Sequence, residues 1–332
     1  MFNIVLLLSS FAVLLAGALL FTNAIEWLGH RLELAQGAVG SLLAAVATAM
    51  PESLIPIVAI IKAEEGSDEV AIGAIIGAPF MLATIAMALV GVSALAYRRS
   101  RRQGSRLDVH FPTLKRDLSF FLVFFGLAFL LGLGAPEALE LPLVAALVLA
   151  YAGYVAWTLR SGGEVQEEET LNPLYIDLAR SRDPALRLVV LQAVIGFAAI
   201  IGGAHLFVEE VLVLAERVGI EAIVLSLVLA PLATELPEKA NSFFWIREGK
   251  DTLALGNITG AMVFQSTLPV AIGLAFTDWE LDRFSLGAAG LGLAGGAVAV
   301  WALQVRKRFS PGPIAIWGAL YAAFVALVVA AG

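Results

Sequence analysis

The sequence contains no cysteine, and this absence removes several kinds of chemistry at once. Disulfide bonds, thiolate nucleophiles and zinc sites that depend on cysteine are all excluded. Histidine is scarce too: only three are present, far apart in the chain, so there is no His-Glu-x-x-His metal motif. A Gly-x-Ser-x-Gly nucleophile turn is also missing. No residue set typical of an enzyme remains, and we predict that the chain is not one.

Charged residues are sparse as well, at 15% of the chain, whereas 60% of its residues are hydrophobic and the mean hydropathy is +0.89. Apolar stretches of about 20 residues recur from end to end, which is typical of a helical protein that crosses a membrane many times. The first of these stretches has no basic residue before it. We therefore expect a retained first span and not a cleaved signal peptide.

Hydropathy predicts ten membrane spans. Their approximate limits are residues 3–27, 36–61, 70–97, 117–134, 139–159, 187–213, 220–246, 252–276, 284–304 and 312–331. Backbone hydrogen bonds must be satisfied within each segment in lipid, so the predicted fold class is all-α, a polytopic membrane protein without a β-sheet.

The lysines and arginines of the predicted loops are concentrated on one side of the membrane. A dense group of arginines lies at residues 98–106, after the third span, and the loops after the other odd-numbered spans are basic too. We expect the protein in the cell (inner) membrane, and the positive-inside rule then places both termini on the outer side of that membrane. Because topology accounts for the arginine group, the expected partners are the lipid bilayer and inorganic cations, and not nucleic acid.

The two halves of the chain resemble each other. GALLF at residues 17–21 matches GAHLF at 203–207, and ATAMPE at 47–52 matches ATELPE at 233–238. Residues 71–80 match residues 254–263 after a three-residue shortening of the loop. We predict a first repeat at residues 1–160, a cytoplasmic acidic linker at 161–186 and a second repeat at 187–332. With five spans each, the repeats have inverted topology, as in many secondary transporters.

Two Pro-Glu steps, Pro51-Glu52 and Pro237-Glu238, lie at matching positions of these repeats. A carboxylate at the bilayer centre costs about 2.5–3.5 kcal/mol, so a matched pair predicts a bound cation. A threonine lies one turn before each glutamate, and each proline frees the carbonyl four residues earlier. The predicted oxygen ligands, which suit hard cations such as Ca²⁺ or Na⁺, are Ala47, Thr48, Glu52, Ala233, Thr234 and Glu238.

These two motifs resemble the G-T-S-L-P-E motifs of the calcium/cation antiporter superfamily, to which sodium/calcium exchangers belong. ALGNITG at residues 254–260 is similar to the A-L-G-N-I-I-G stretch of the family's second repeat, which adds Asn257 as a candidate ligand. The resemblance implies alternating-access antiport, with Glu52 and Glu238 as central Ca²⁺ ligands, Thr48 and Thr234 beside them and Na⁺ at flanking positions. It implies no cofactor other than the transported cation and its counter-ion.

The chain also departs from the family pattern. The serine after the motif threonine is replaced by Ala49 in one half and by Glu235 in the other. The G-S-N steps become Gly-Ala-Pro at 77–79 and Gly-Ala-Met at 260–262, and the final asparagine becomes Leu82 or Gln265. Most side-chain oxygens expected to hold Na⁺ are therefore missing, whereas divalent coordination by two glutamates is retained.

Glu235 and Lys239 are spaced i, i+4 on one helix, in the order that favours an ion pair. In one interpretation, Lys239 supplies a fixed positive charge where the family binds Na⁺, which favours proton-coupled or facilitated movement. In the other, the pair is a local neutralising contact. Glu235 is also a candidate metal ligand, because it lies one turn before Glu238.

Several functions remain to be compared. The leading hypothesis is antiport of Ca²⁺ or a similar divalent cation against Na⁺ or H⁺. The alternatives are a transporter that is not sodium-coupled and a transport-inactive scaffold of the same fold. For antiport we expect spans one and six, which contain Gly17, Gly202 and Gly203, to slide against spans two, three, seven and eight. The oligomeric state stays open, and a monomer is compatible with the sequence.

Overall fold

The computed structural model describes residues 2–31, 49–134, 136–160, 171–179, 181, 183–303 and 310–331. Within these ranges the chain forms helices and connecting loops, and no β-strand occurs there. The first half contains α1 (Phe2–Arg31), α2 (Met50–Lys62), α3 (Ser67–Met81), a π-helical turn (Leu82–Ala86), α4 (Met87–Ala96), α5 (Phe111–Gly132), a 3₁₀ turn (Glu137–Leu139) and α6 (Glu140–Arg160). The second half contains α7 (Leu186–Val218), α8 (Ala222–Glu248), α9 (Asp251–Gln265), α10 (Leu268–Phe276), α11 (Arg283–Trp301) and α12 (Pro311–Ala331).

In the part of the chain that the structure describes, seven helical segments are long and apolar enough to cross a membrane. They are Ile4–Arg31, Ser67–Ala96, Glu140–Thr158, Leu186–Val218, Asp251–Phe276, Arg283–Trp301 and Pro311–Val328. These segments overlap seven of the ten predicted spans. Part of α8, Ala222–Glu235, is a shorter apolar helix. Of the predicted second span, residues 36–48 lie outside the described residues.

Two of these segments are interrupted where the sequence predicted continuous helices. The segment of α3 and α4 contains the π-helical turn, which begins three residues after Pro79. The segment of α9 and α10 is broken at Ser266 and Thr267, just before Pro269. Proline lacks an amide donor and crowds the preceding turn, which explains both positions.

Hydroxyl groups satisfy the backbone at both interruptions. Thr84 Oγ1 donates to the Phe80 carbonyl at 2.6 Å, and Thr267 Oγ1 donates to the Val263 carbonyl at 2.8 Å. Both threonines are fully buried. Irregular backbone is tolerated at membrane depth only where protein shields it from lipid, and burial supplies that shield.

Helices α3 and α8 pack against each other at unusually short distance, and this contact positions the candidate site. A Cβ atom added at Gly73 would lie 2.6 Å from the Ile223 carbonyl oxygen, and one at Gly77 would clash with the Leu227 carbonyl. Ser226 on α8 donates its hydroxyl to the Val70 carbonyl of α3 at 2.7 Å. Small residues one turn apart allow this close approach, as in other membrane helix pairs.

Helices α1 and α7 form a second close pair. A Cβ atom at Gly196 would lie 2.6 Å from the Phe21 amide nitrogen, and one at Gly17 would lie 2.9 Å from that of Ile200. The pair shares a buried apolar cluster with α2, and this cluster contains Leu14 of α1 and Ile55 of α2. Spans one and six, the predicted gate, are therefore in direct contact along their length.

The end of the linker docks on this pair. Gln192 on α7 donates to Asn23 Oδ1 on α1 at 2.8 Å and accepts from the Ile176 amide at 3.0 Å. Asn23 and Trp27 both donate to the Asn172 carbonyl, at 3.2 and 2.9 Å. Because Gln192, Asn23 and Trp27 are buried, these hydrogen bonds are shielded from competing water. We call residues 171–177 the linker clip.

A short turn follows the linker clip. The carboxylate of Asp177 accepts from the Ser181 amide at 2.9 Å and from the Ala179 amide at 3.1 Å. Hydrogen bonds from Ser181, followed by that from Ala179, lower the pKa of Asp177 below its usual value. A lowered carboxyl pKa stabilises the turn above the unfolded-state pKa, and that contribution is lost as the pH falls through the folded-state pKa.

The arginine group after the third predicted span does more than mark topology. Arg101 is buried, and its Nη2 group donates to both carboxylate oxygens of Asp251, the first residue of α9. Asp251 also accepts from the Asp108 amide at 3.0 Å. The interpretation of this group as a topology signal alone was therefore incomplete: Arg98, Arg99, Arg102 and Arg106 are exposed, but Arg101 connects the loop to the second half.

Candidate cation site

Glu52 lies in the first turn of α2, directly after Pro51. The Ser53 amide and hydroxyl both donate to the Ala49 carbonyl, at 3.3 and 2.9 Å, and so fix the start of the helix. Only 7% of Glu52 is exposed. A carboxylate this deeply buried requires a compensating partner.

Glu52 and Thr234 line the same small cavity, one from each half of the chain. The other lining residues are Ile55, Ala74, Ala78, Ala230 and Pro231. The cavity volume is about 10 Å³, close to the minimum for a single water molecule.

Small side chains explain why there is space at this point. Ala74 and Ala78 are one turn apart on α3, next to the glycines that contact α8. On α8, Ala230 and Pro231 face them across the cavity. The same short interhelical distance that requires glycine at residues 73 and 77 therefore brings α8 close to Glu52.

Thr234 is 7% exposed, and its hydroxyl donates to the Ala230 carbonyl at 3.2 Å. The proton is directed along the helix, so the oxygen lone pairs remain for another ligand. Ala233 is buried beside it. This geometry is suitable for a hydroxyl ligand to a hard cation.

Several predicted ligands are not among the described positions. Ala47 and Thr48 lie outside the described residues, and so do the side chains of Glu238 and Lys239. Helix α8 continues through Pro237, so this proline does not break the helix. Asn257 lies half-buried on α9. The role of each of these residues stays a prediction.

Glu235 makes a contact that the sequence did not indicate. The Gln265 side-chain amide donates to the Glu235 carboxylate. Glu235 is 1% exposed and Gln265 is 3% exposed. Gln265 is the last residue of α9, so this bond connects α8 to the interruption in the eighth predicted span. The substitutions at both positions were visible in the sequence, but their pairing depends on how α8 and α9 pack.

A second buried polar network joins α5, α6 and α9. Asp117 is 2% exposed and accepts from Thr259 at 3.0 Å, from Tyr154 at 3.0 Å and from Arg116 at 2.9 Å. Thr259 belongs to the ALGNITG stretch on which Asn257 also lies. The sequence did not identify this network, although an aspartate within a predicted span was a usable signal.

Among the described residues, no three acidic or histidine side chains gather around one point. The observed part of the candidate site is therefore one carboxylate and one hydroxyl that line one small cavity. A cation there would need further oxygens, and the predicted ligands Thr48 and Glu238 are not tested by the described residues.

The chain matches a known protein family over most of its length. The family model described as "Sodium/calcium exchanger protein" matches residues 2–160 and 188–330. The inner membrane protein YrbG of Escherichia coli strain K12 is 24% identical over 249 residues, which cover 74% of this chain and 70% of YrbG. The sodium/calcium exchanger MaX1 of Methanosarcina acetivorans is 32% identical over 97 residues, which cover 29% of this chain and 28% of MaX1.

One solved structure shows the shared fold. The crystal structure of the H⁺/Ca²⁺ exchanger CAX superimposes with a TM-score of 0.69 at 19% identity, covering 98% of this chain and 82% of that chain. Two curated relatives are at least 30% identical to this chain, and the matched regions cover 30% and 28% of their lengths.

Proposed function

Because the chain belongs to the sodium/calcium exchanger protein family, and is thus an integral membrane protein of a cation exchanger family, we propose that it is a secondary active antiporter. It moves Ca²⁺, or a similar divalent cation, across the membrane in exchange for Na⁺ or H⁺ by alternating access. The single observation that carries this proposal is the cavity that Glu52 and Thr234 line from opposite halves of the chain.

The proposed architecture is ten spans in two inverted repeats, residues 1–160 and 187–332, joined by the linker at 161–186. The two helix interruptions support it: the register that aligns residues 71–80 with 254–263 also aligns the π-helical turn at 82–86 with the break that follows Gln265. The name of the Escherichia coli relative supports location in the inner membrane. The proposed orientation has both termini outside, as the distribution of basic residues predicts.

The proposed cation ligands are the carboxylates of Glu52 and Glu238, with the hydroxyls of Thr48 and Thr234 beside them. The carbonyls of Ala47 and Ala233 and the side chains of Asn257 and Glu235 complete the candidate set. Two carboxylates balance the charge of a divalent cation, and oxygen-only ligands match its preference. Without the cation, repulsion between two close carboxylates would favour proton uptake, which provides a route to proton exchange.

Glu52→Gln tests the proposal directly, since it removes one charge from the site and changes the side-chain shape little. We expect uptake of ⁴⁵Ca²⁺ into proteoliposomes under imposed Na⁺ or H⁺ gradients to fall by at least about tenfold. Glu65→Gln, at an exposed residue of the α2–α3 turn, is the matched control and should retain uptake. Unchanged uptake in Glu52→Gln would reject the proposed site.

The proposal that H⁺ is the coupling ion depends on oxygen-bearing residues that this chain lacks. Ala49, Leu82 and Met262 replace oxygen-bearing residues of the family pattern, and the Glu235 carboxylate is engaged with Gln265. Both facts favour H⁺ over Na⁺ as the counter-ion, with Lys239 as a fixed positive charge.

Lys239→Met tests the role of that charge. If Lys239 takes the place of a Na⁺, its removal should change which gradient drives ⁴⁵Ca²⁺ uptake, because a vacated positive charge favours Na⁺ binding. Unchanged dependence on the two gradients would leave Lys239 as a local neutralising residue.

A transport-inactive scaffold is the second candidate, and the same missing oxygens favour it. It predicts no ⁴⁵Ca²⁺ flux under any gradient. It also predicts that Glu52→Gln has no effect on cation binding to the purified protein. Flux in the unmodified chain would exclude it.

A further inference from the structure

A second small cavity lies between α4, α8 and α9, apart from the one beside Glu52. Its lining includes Ala86, Val90, Ser93, Ser242 and Ile258, and its volume is also about 10 Å³. That volume is close to the minimum for one water molecule.

Ser242 supplies an unsatisfied polar group to this cavity. The residue is 1% exposed, and its Oγ has no hydrogen-bond partner among the residues that the structure describes. Ser93 is fully buried and donates its hydroxyl to the Leu89 carbonyl at 2.7 Å, so its lone pairs remain available. A buried hydroxyl without a partner is costly, and a water molecule between the two serines would satisfy both.

One row of residues on α8, spaced four apart, runs from the first cavity to the second. Thr234 lines the first cavity, and Ser242 lines the second. Because each step of four residues turns about 40° around the helix, the positions of residues 234, 238 and 242 follow one another along this row. The position of Glu238 is therefore between the two cavities on a common face of the helix.

The second cavity is on the side of the arginine-rich loop. Ser93 is near the end of α4, which leads directly into that loop, and Ser242 is in the last two turns of α8. The first cavity is displaced toward the α2–α3 turn, because Thr234 precedes Ser242 on α8 and the start of α8, at Ala222, lies beside Gly66 of that turn. By the distribution of basic residues, the loop side is the cytoplasmic side.

We propose that the cavity between Ser93 and Ser242 is hydrated and forms the cytoplasmic access to the cation site. Ser242 and Ser93 hold water there, and a cation passing between Glu238 and the cytoplasm exchanges coordination with that water. This assignment rests on the proposed antiport function and extends it to a path with two named residues. Leu89 and Phe243 also line the cavity and are exposed hydrophobic residues, so an opening toward lipid is the competing arrangement.

The absence of cysteine makes the test direct, because Ser242→Cys would be the only thiol in the full chain. The protein is reconstituted in vesicles of known orientation and treated with a membrane-impermeant cationic methanethiosulfonate, and labelling is followed by intact mass. We expect labelling from the cytoplasmic side at least about tenfold faster than from the outer side, since thiol reactivity follows access to water.

Ser285→Cys is the matched control. Ser285 is also fully buried, and its Oγ likewise has no hydrogen-bond partner in the described part of the chain, but it lies on α11 away from both cavities. It should stay unlabelled. If Ser242→Cys does not fold, Ser93→Cys should give the same side preference.

Two outcomes would overturn the assignment: labelling of Ser242→Cys no faster than that of Ser285→Cys, or labelling only by a lipid-soluble maleimide. Neither outcome depends on transport, so the test is separate from that of Glu52→Gln. Loss of uptake in Glu52→Gln together with an unlabelled Ser242→Cys would retain the antiporter and reject this path.

Discussion

Glu235 and Gln265 illustrate how a single buried polar residue depends on its partner. Sequence reasoning identified both as departures from the family pattern and paired Glu235 with Lys239 by helical spacing. The structure shows that Glu235 also accepts a hydrogen bond from Gln265, whereas the side chain of Lys239 lies outside the described residues and its pairing with Glu235 stays a prediction. Spacing along one helix is visible in a sequence, but a contact between α8 and the end of α9 depends on tertiary packing. Glu52 and Thr234 were predicted as ligands because their motifs repeat, and a repeat is also visible in sequence.

Gln265→Met tests the importance of this contact for stability. It keeps the side-chain length but leaves the buried Glu235 carboxylate without the amide donor. We expect a loss of about 1.5–3 kcal/mol, the range for hydrogen bonds to charged groups, seen as a lower thermal unfolding midpoint of the purified protein.

Gln103→Met is the control for that measurement, because Gln103 bonds Asp108 at the exposed surface at 3.3 Å. It should change the midpoint little. Equal midpoints for Gln265→Met and the unmodified protein would contradict a structural role for the Glu235–Gln265 bond.

At the scale of helices, the type of most elements followed from hydropathy, whereas their interruptions did not. Long apolar runs predicted the segments that contain α3, α4, α9 and α10. The π-helical turn and the break before Pro269 depend on buried hydroxyls that satisfy the freed backbone, and a single apolar profile does not reveal them. Proline in each segment was the available signal.

The contact between α1 and α7 predicts how these helices move. Their glycine-mediated packing and the linker clip connect them to each other, so during transport we expect the pair and the clip to move as one body. Arg31→Cys/Asp183→Cys, at an ion pair of 2.6 Å, joins the end of α1 to the start of α7 through a short bis-methanethiosulfonate crosslinker. The crosslinked protein should retain ⁴⁵Ca²⁺ uptake within about twofold.

A second crosslinked pair is the control for that experiment. A Cβ atom at Gly66 would lie 3.1 Å from Leu212 Cδ2, so Gly66→Cys/Leu212→Cys connects α7 to the α2–α3 turn. Because the φ of 80° at Gly66 strains any side chain there, uptake by this variant is compared before and after crosslinking. This crosslink should block uptake, because it joins the moving pair to the stationary helices. If the crosslink between residues 31 and 183 blocked ⁴⁵Ca²⁺ uptake, α1 and α7 would instead have to slide past each other during transport.

At the scale of the whole molecule, the sequence predicted an all-helical membrane protein of an exchanger family, and the family match confirms that membership. Composition was sufficient for the all-helical class, because lipid restricts the possible folds so strongly, and the resemblance of the two Pro-Glu motifs to those of the family indicated the membership. The contacts between the halves were not predictable. Ser226 with Val70, and Arg101 with Asp251, join residues far apart in sequence, and only the packed structure brings them together.

The ion pair between Arg101 and Asp251 has a consequence for mutagenesis of the arginine-rich loop. Neutralising Arg98, Arg99, Arg102 or Arg106 removes exposed charge and alters only the bias that orients the chain during insertion. Neutralising Arg101 leaves the buried carboxylate of Asp251, at the start of α9, without its cationic partner. Such a loss typically lowers the free energy of unfolding by about 3–5 kcal/mol. Substituting each arginine of this loop in turn would thus test membrane insertion at four positions and assembly of the two halves at Arg101. A low yield of purified protein after substitution of Arg101 would not be a sign of inverted orientation.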